Sequence, residues 1–325
     1  MPLKLDAKTH ERAAARKGNR PRVRTALTTL TAVLAVVAIM LVAAYTAAPP
    51  AAPQPAEPVP QSAGPAPHQA GPLLQSAGPA PQPTGPKPVP ATWKLAFSTG
   101  FPGTELDTST WGECYPWFDA AKGCTNFGNS DEAEWYLPSQ IHVENGKLAL
   151  VARRTPTEGT TENGKPKTYT CRSGMVTTYP SVYFRYGYVQ VVARLPFGKG
   201  LWPAIWLIPE DGSWPPEIDI AEHWDTQPTV AATLHTGKDN AQQRGLVDFP
   251  EAGQGWHTYT LYWTPSRISV YYDRKLALTT TKDVPRKPMY LLLDLADENT
   301  SPGSCSGTMY VKSVGIWEAP QQPAR

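Results

Sequence analysis

Tryptophan is absent from residues 1–90, and residues 47–90 contain no aromatic residue of any kind. A segment without aromatic side chains buries too little apolar surface to fold on its own. All 11 tryptophans and all four cysteines fall in residues 91–325. We therefore expect one folded domain over residues 91–325, preceded by segments that form no core of their own.

Charge is missing from residues 25–48, TALTTLTAVLAVVAIMLVAAYTAA. About 20 apolar residues suffice to cross a bilayer as a helix. Residues 1–24 carry eight Lys or Arg against two acids and would stay on the cytoplasmic side. The sequence thus predicts a basic cytoplasmic tail and a signal anchor that crosses the cell membrane once, with the domain extracellular. The alternative is a cleaved signal peptide, which would make the protein secreted.

Residues 49–90 have little besides Pro, Ala, Gly, Gln and Ser, and they contain the repeated heptad QSAGPAP. Proline-rich segments of this kind are stiff, extended spacers that rise about 3.1 Å per residue. This composition predicts a disordered linker between the membrane segment and the domain.

The domain lacks an excess of basic residues, since residues 91–325 hold 21 Lys or Arg and 25 Asp or Glu, a net charge of −4. Without a basic stripe, binding to nucleic acid is not expected. An even number of cysteines in an exported domain favours disulfides over metal ligands. We predict the pairs Cys114–Cys124, which bracket one loop, and Cys171–Cys305, although four cysteines allow three connectivities.

No stretch of the domain keeps a helical period for three turns, whereas several stretches alternate between apolar and polar residues. Examples are GYVQVVARL (187–195), KLALVAR (147–153) and RISVYYD (267–273), which show the period of half-buried strands. TYTLYWT (258–264) is separated from RISVYYD by Pro265-Ser266, which predicts a hairpin. Many short strands with turns between them predict an all-β sandwich or barrel.

Acidic residues are concentrated in PPEIDIAEHWD, residues 215–225, beside the apolar stretch AIWLI. Side chains alternate along a strand, so Glu217 and Asp219 share one face. Glu222 would point into the core, where an unpaired carboxylate is too costly. A β-bulge near Ala221 would reset the alternation and bring all three acids to one face. Trp224 would follow on that face.

Two carboxyl groups a few ångströms apart suit hydrolysis of a glycosidic bond with retention, because one acts as nucleophile and the other as acid and then base. Asp219, between them, can hydrogen-bond the nucleophile. The spacing does not decide which glutamate attacks. A calcium site and structural acids on an edge strand are the alternatives. The many tryptophans favour a carbohydrate ligand, since aromatic faces stack on sugar rings.

Residues 183–225 resemble glycoside hydrolase family 16 in its bacterial, laminarinase-like branch, and the likeness extends over residues 92–318. The family pattern E-x-D-x-x-E stands here as Glu217-Ile-Asp219-Ile-Ala-Glu222. The resemblance implies a concanavalin A-like jelly roll, a β-sandwich of two antiparallel sheets with a concave sugar-binding cleft. It implies Glu217 as nucleophile, Asp219 as its helper and Glu222 as acid/base. The implied activity is endo-hydrolysis of β-1,3-linked or mixed β-1,3/1,4-linked glucan.

The resemblance also implies substrate-binding residues around the three acids. Trp202 and Trp206 match tryptophans that line subsites, His235 matches a cleft histidine, and Glu134 matches a polar cleft position. We add Trp224 only because strand alternation places it on the same face as the acids. We expect a monomer that binds a β-glucan polysaccharide and needs no cofactor.

Two positions depart from the family pattern. Lys312 replaces the aspartate that many relatives use for a calcium ion, so we expect no metal there. Residues 294–305, DLADENTSPGSC, replace a glycine-rich segment near the cleft, with Asp294 in place of an asparagine. A galactan substrate, transglycosylation, or a non-catalytic glucan-binding role on the same fold stay open as alternatives.

Overall fold

The computed structural model describes residues 89–116, 132–161, 164–224, 226–237, 241–298 and 305–320. The predicted tail, the membrane segment and the linker up to residue 88 lie outside the described residues, as does Cys124. In the described part of the chain, no helix has the length and apolar character needed to span a bilayer.

Short strands make up most of the domain. In chain order they are β1 (Lys94–Thr99), β2 (Glu134–Tyr136), β3 (Ile141–Glu144), β4 (Lys147–Arg153), β5 (Thr157–Thr160), β6 (Pro166–Tyr169), β7 (Cys171–Ser173), β8 (Met175–Thr177), β9 (Gly187–Arg194), β10 (Leu201–Pro209), β11 (Glu217–Glu222), β12 (Thr229–Thr236), β13 (Ala241–Asp248), β14 (His257–Thr264), β15 (Arg267–Tyr272), β16 (Lys275–Thr280), β17 (Met289–Asp297) and β18 (Ser306–Glu318). Two short 3-10 helices are Pro138–Gln140 and Pro250–Gly253.

The strands form two large sheets. One has ten strands in the order β16-β15-β14-β9-β18-β4-β7-β2, with β1 on β18 and β3 on β4. The other has six, in the order β13-β12-β11-β10-β17-β8, and β5 and β6 form a separate pair. The predicted all-β jelly roll is confirmed, as is the β14–β15 hairpin. The pairing is antiparallel except between β2 and β7, which run parallel.

The core lies between the two sheets and takes one side chain in two from most strands. Val189 and Val191 of β9 are fully buried there, and so are Ile205 and Leu207 of β10. Aromatic rings fill the remaining space, for example Trp263 of β14. This alternation leaves the intervening residues of β10 and β11 on the opposite face of the six-stranded sheet, which we call the outer face.

The outer face carries a second apolar cluster, separate from the core. We call it the aromatic cluster; it comprises Tyr115, Tyr136, Met175, Ala204, Trp206, Ile208, Tyr290 and Leu292. Each of these side chains is at least nine-tenths buried. Part of the outer face is therefore packed and closed to solvent.

One predicted disulfide, Cys171–Cys305, is confirmed, with 5.8 Å between the two Cα atoms. It ties the segment before β18 to β7, across 134 residues of chain. The pairing of Cys114 with Cys124 falls partly outside the described residues and stays a prediction.

The terminal strands β13 and β16 of the two sheets meet at Gly245. A Cβ atom at this position would lie 1.9 Å from the carbonyl oxygen of Ala277, so only glycine fits. Nearby, the Thr280 hydroxyl donates to Oε1 of Gln243, and Nε2 of Gln243 donates to the Lys282 carbonyl at 3.2 Å. These contacts close one side of the sandwich.

Candidate active site

The register of β11 shows how three acids reach one face. Trp206 of β10 pairs with Asp219 and the preceding Ile205 pairs with Ala221, so Ile220 is an extra residue in β11. The pairing with β12 shifts over the same interval, between Asp219 and Glu222. This is the predicted β-bulge, and it is confirmed.

With the bulge, the isoleucines and the acids separate. Ile218 and Ile220 are fully buried in the core between the sheets. Glu217, Asp219 and Glu222 interact with one another on the outer face. The sequence places apolar residues at the core positions of β11 and carboxyl groups at the others, and the extra residue keeps both sets in place.

Asp219 is the central group of the three acids and is 1% exposed. Burial raises its pKa well above the usual range, and the neighbouring charges of Glu222 and Glu217 raise it further. Protonated Asp219 has one O–H, which it can donate to Glu217 or to Glu222. His235 approaches from β12, with Nε2 3.0 Å from Oδ2 of Asp219. Asp219 thus lies between the two glutamates and can share its proton with either of them.

Glu222 is positioned by β10 and β12. The indole Nε1 of Trp202 donates to its Oε1 at 3.2 Å, and the Thr233 hydroxyl approaches Oε2 at 3.5 Å. Arg244 supports Thr233, with Nε donating to the hydroxyl oxygen at 3.2 Å. These contacts orient the Glu222 carboxyl group along the outer face.

Burial raises the pKa of Glu222 to about 7, and the charge of Glu217 acts in the same direction. The hydrogen bond from Trp202 and the positive charge of Arg244 act in the opposite direction and lower this pKa. A carboxyl group with a pKa near neutrality can hold a proton for transfer and then take one back, as a general acid and base must.

Glu217 begins β11 and is partly exposed. The indole Nε1 of Trp214 donates a hydrogen bond to its Oε2. Trp214 is 42% exposed, so the edge of its ring contacts Glu217 while much of the ring surface is open to solvent. Sequence reasoning did not include Trp214 among the site residues, although its position three residues before Glu217 was a signal.

Three of the predicted substrate-binding residues lie around the acids. Trp202 and Trp224 lie beside Glu222 with their ring centroids 5.8 Å apart, and Arg244 lies 5.1 Å from the Trp224 ring. His235 lies at the Glu217 end of the site, next to Trp214, with 6.1 Å between the two ring centroids. All three are partly exposed and could contact a bound sugar.

The other two predicted substrate-binding residues are buried. Trp206 is 5% exposed, and its Nε1 donates to Oδ1 of Asp294 at 2.5 Å. Glu134 has no exposed surface, and its Oε2 accepts from the backbone N–H of Asp297 at 2.8 Å. The structure does not bring these two side chains to the surface of the site.

Asp294 is a second buried acid on the outer face. Besides Trp206, the Tyr136 hydroxyl donates to it, at 3.2 Å to Oδ2. Burial raises the pKa of Asp294 to about 8, although both hydrogen bonds lower it. The sequence identified Asp294 only as a departure from the family pattern.

The calcium alternative can be tested against the ligand set. Glu217, Asp219 and His235 each offer one ligand atom, and these atoms lie within 4.8 Å of one another. Calcium takes six to eight oxygen ligands, whereas this group supplies two carboxyl groups and an imidazole. The arrangement suits proton transfer better than calcium binding.

Two glutamates with an aspartate between them on one face of a strand are the carboxyl groups that a glycosidase uses. The chain belongs to glycosyl hydrolases family 16, whose family model matches residues 129–311.

Individual relatives agree with this assignment. The chain is 35% identical over 216 residues to an endo-1,3-1,4-beta-glycanase of Rhizobium meliloti (strain 1021), which covers 62% of this chain and 45% of that protein. It is 33% identical over 200 residues to a beta-glucanase of Rhodothermus marinus, covering 57% of this chain and 64% of the relative. The chain therefore spans about half the length of the first relative and under two thirds of the second.

Among solved structures, the fold resembles the catalytic domain of an endo-1,3-beta-glucanase (laminarinase) from Thermotoga petrophila RKU-1. The TM-score is 0.60 at 27% identity, over 70% of this chain and 99% of that one.

Proposed function

We propose that the protein is a retaining endo-glucanase that hydrolyses β-1,3-linked or mixed β-1,3/1,4-linked glucan. The observation that carries this proposal is the arrangement on β11. Glu217 and Glu222 share one face with Asp219 between them, and the pKa of Glu222 is raised to about 7. The names of the relatives support the substrate class.

In the first step, the Glu217 carboxylate attacks the anomeric carbon, and the bond from this carbon to the glycosidic oxygen breaks. Glu222 gives its proton to the departing oxygen, and a glycosyl ester forms on Glu217. Esterification removes the charge of Glu217, which had helped to raise the pKa of Glu222. The pKa of Glu222 therefore falls, and its carboxylate can act as the base in the next step.

In the second step, Glu222 takes a proton from a water molecule as the oxygen of that water attacks the anomeric carbon. The ester bond breaks, the sugar leaves with its original configuration, and both glutamates return to their starting states. Asp219 and Trp214 donate hydrogen bonds toward Glu217 and would stabilise it as a leaving group. His235 would hold Asp219 in position.

The N-terminal segments support a proposal about location. The basic residues 1–24, the uncharged residues 25–48 and the proline-rich residues 49–90 are the pattern of a membrane anchor followed by a spacer. We expect the enzyme to act as a monomer outside the cell. Recovery of the full chain in the membrane fraction, resistant to carbonate washing, would agree, whereas recovery only in the medium would favour the signal peptide.

Glu217→Gln tests the catalytic assignment. Release of reducing ends from laminarin should fall by roughly 10⁴-fold or more, because the covalent step needs the carboxylate. The control is Glu144→Gln, which makes the same change at an exposed position of β3 and should leave the rate unaltered.

Undiminished hydrolysis by the Glu217→Gln variant would refute the role of Glu217. A parallel panel of lichenan, agarose and xyloglucan tests the substrate class. Release from agarose alone would identify a galactan as the substrate.

A further inference from the structure

The two halves of the outer face, on either side of the catalytic acids, differ in their exposure to solvent. On β13, Gln242, Arg244 and Leu246 are exposed, Leu246 to 65%. On the other side of the catalytic acids, Tyr290 and Asp294 of β17 are 1% and 4% exposed. Polysaccharide can therefore reach the β12–β13 half directly, whereas the β17 half is covered.

Tyrosine rings from outside the six-stranded sheet cover the β17 half. The Tyr115 ring lies 5.6 Å from that of Tyr136 and 6.1 Å from that of Trp206, both edge-on. Tyr136 and Trp206 in turn donate to the two oxygens of Asp294. We call Tyr115, Tyr136, Trp206 and Asp294 the aromatic plug. The rings of Tyr136 and Trp206 are fixed because their polar atoms share one buried acceptor.

The plug stands close to the acids. In the register of the sheet, Ala204 pairs with Glu222 on one side and with Asp294 on the other, so the three form one row across the strands. Neighbouring strands are about 4.8 Å apart, which puts Asp294 roughly 10 Å from Glu222. A sugar chain that follows the sheet toward β17 therefore meets the plug within one or two sugar units.

In the opposite direction the floor is made of small, buried side chains, Ala231 and Thr233 of β12. Beyond them lie Arg244 and Leu246, whose exposed surfaces could contact several sugar units. Neither β12 nor β13 contains a Phe, Tyr or Trp residue.

We propose that the substrate cleft is one-sided. Sugar units gain most of their contacts over β12 and β13, and only one or two units fit between the acids and the aromatic plug. Short oligosaccharides then bind in a single register, while a long polymer can be cut internally because its chain lifts away from the sheet beyond the plug. This inference rests on the proposed function.

The test uses β-1,3-linked gluco-oligosaccharides of four to seven units, labelled at the reducing end. The wild-type domain should cleave each mainly at one linkage, which stays one or two units from the same chain end. The kcat/KM should rise several-fold with each unit added on the other side. Tyr115→Ala should spread cleavage over additional linkages, because truncating the ring removes the cover from Trp206.

Two further variants keep the test informative if Tyr115→Ala folds poorly. Leu246→Ala, at an exposed position, should lower kcat/KM several-fold for the longest oligosaccharides and leave the shortest unaffected. Tyr262→Ala removes a ring that stacks on Trp93 at 5.2 Å in the ten-stranded sheet and should leave the cleavage pattern unchanged.

Cleavage of the wild-type substrates near their centres, with kcat/KM rising as units are added at both ends, would overturn the one-sided cleft and leave the proposed function intact. An absence of any cleavage by the wild type, with laminarin and lichenan also inert, would refute both.

Discussion

Glu222 and Asp294 lie in the same row of the six-stranded sheet, on either side of Ala204. Burial raises both pKa values, to about 7 and about 8, and each carboxyl group is approached by an indole N–H and a hydroxyl. The side chains around the two carboxyl groups differ in their exposure to solvent. Glu222 adjoins the partly exposed Trp202, whereas Asp294 lies beneath rings that are almost fully buried.

This comparison shows that a raised pKa does not by itself identify a catalytic acid. Burial is the largest cause of the raised pKa at both positions. A catalytic group also needs a path for the substrate and a second reactive group within reach. Glu222 has both, because Glu217 and Asp219 share its face, whereas the oxygens of Asp294 are engaged in holding the aromatic plug.

The largest expected difference in activity is between the Glu222→Gln and Asp294→Asn variants. Loss of the acid/base should lower kcat on laminarin by about 10²–10⁴-fold. The asparagine keeps an oxygen that accepts from Trp206, so Asp294→Asn should stay within a few-fold of the wild type. If the two variants lost activity equally, the division between a catalytic and a structural acid would be wrong.

Removal of the Cys171–Cys305 disulfide should change only the stability of the covered β17 half of the outer face, which we call the closed half. Its sulfur atoms lie within 4.8 Å of a carboxyl oxygen of Asp297, at the end of β17. Replacing both cysteines by alanine should lower the free energy of unfolding by about 2–5 kcal/mol, since the bond closes a long loop. Urea titration measures the loss. The pH dependence of kcat/KM should not move, and a displaced pH profile would show that the two halves are coupled.

Asp294→Leu should destabilise the plug. The substitution leaves Nε1 of Trp206 and the Tyr136 hydroxyl buried without their acceptor, at a cost of about 2–4 kcal/mol in the free energy of unfolding. Asp248→Leu, at an exposed position of β13, is the control. Equal urea midpoints for Asp294→Leu and the wild type would contradict the role of Asp294 as shared acceptor.

The smallest effect is expected from Trp202→Phe. Glu222 must carry its proton to act as an acid, so kcat/KM should fall as the pH rises through about 7. The hydrogen bond from Trp202 favours the charged form of Glu222 and lowers its pKa. Its loss should therefore raise that pKa and move the alkaline limb upward by less than about one pH unit. A limb that moves to lower pH would refute this assignment.

The open half of the outer face comprises the catalytic acids and the β12–β13 side. The positions of its acids were predictable because they depend on residues that are close together in the sequence. The five-residue interval from Glu217 to Glu222 conflicts with strand alternation, and a bulge is the way to resolve it. The neighbouring isoleucines fix which face is the core. His235 and Trp202 were predicted from the resemblance to the family, not from strand periodicity.

The closed half was not predictable in the same way. The burial of Asp294 depends on Tyr136, which is 158 residues away in the chain, and on Tyr115 from a loop. In the open half, the turn that carries Trp214 also depends on a distant residue, because Lys287 donates to Asp211 and Ser213, each at 2.8 Å. Strand periodicity contains no information about such contacts, since they join segments that are far apart in sequence.

The close approach at Gly245 has a consequence for self-association. β13 and β16 are the terminal strands of their sheets, and terminal strands present unpaired backbone groups on which other chains can add. Because each shields the other, neither edge is a free template for intermolecular β-pairing. Any larger residue at Gly245 would push the two strands apart, and the first harm would be aggregation rather than loss of catalytic geometry.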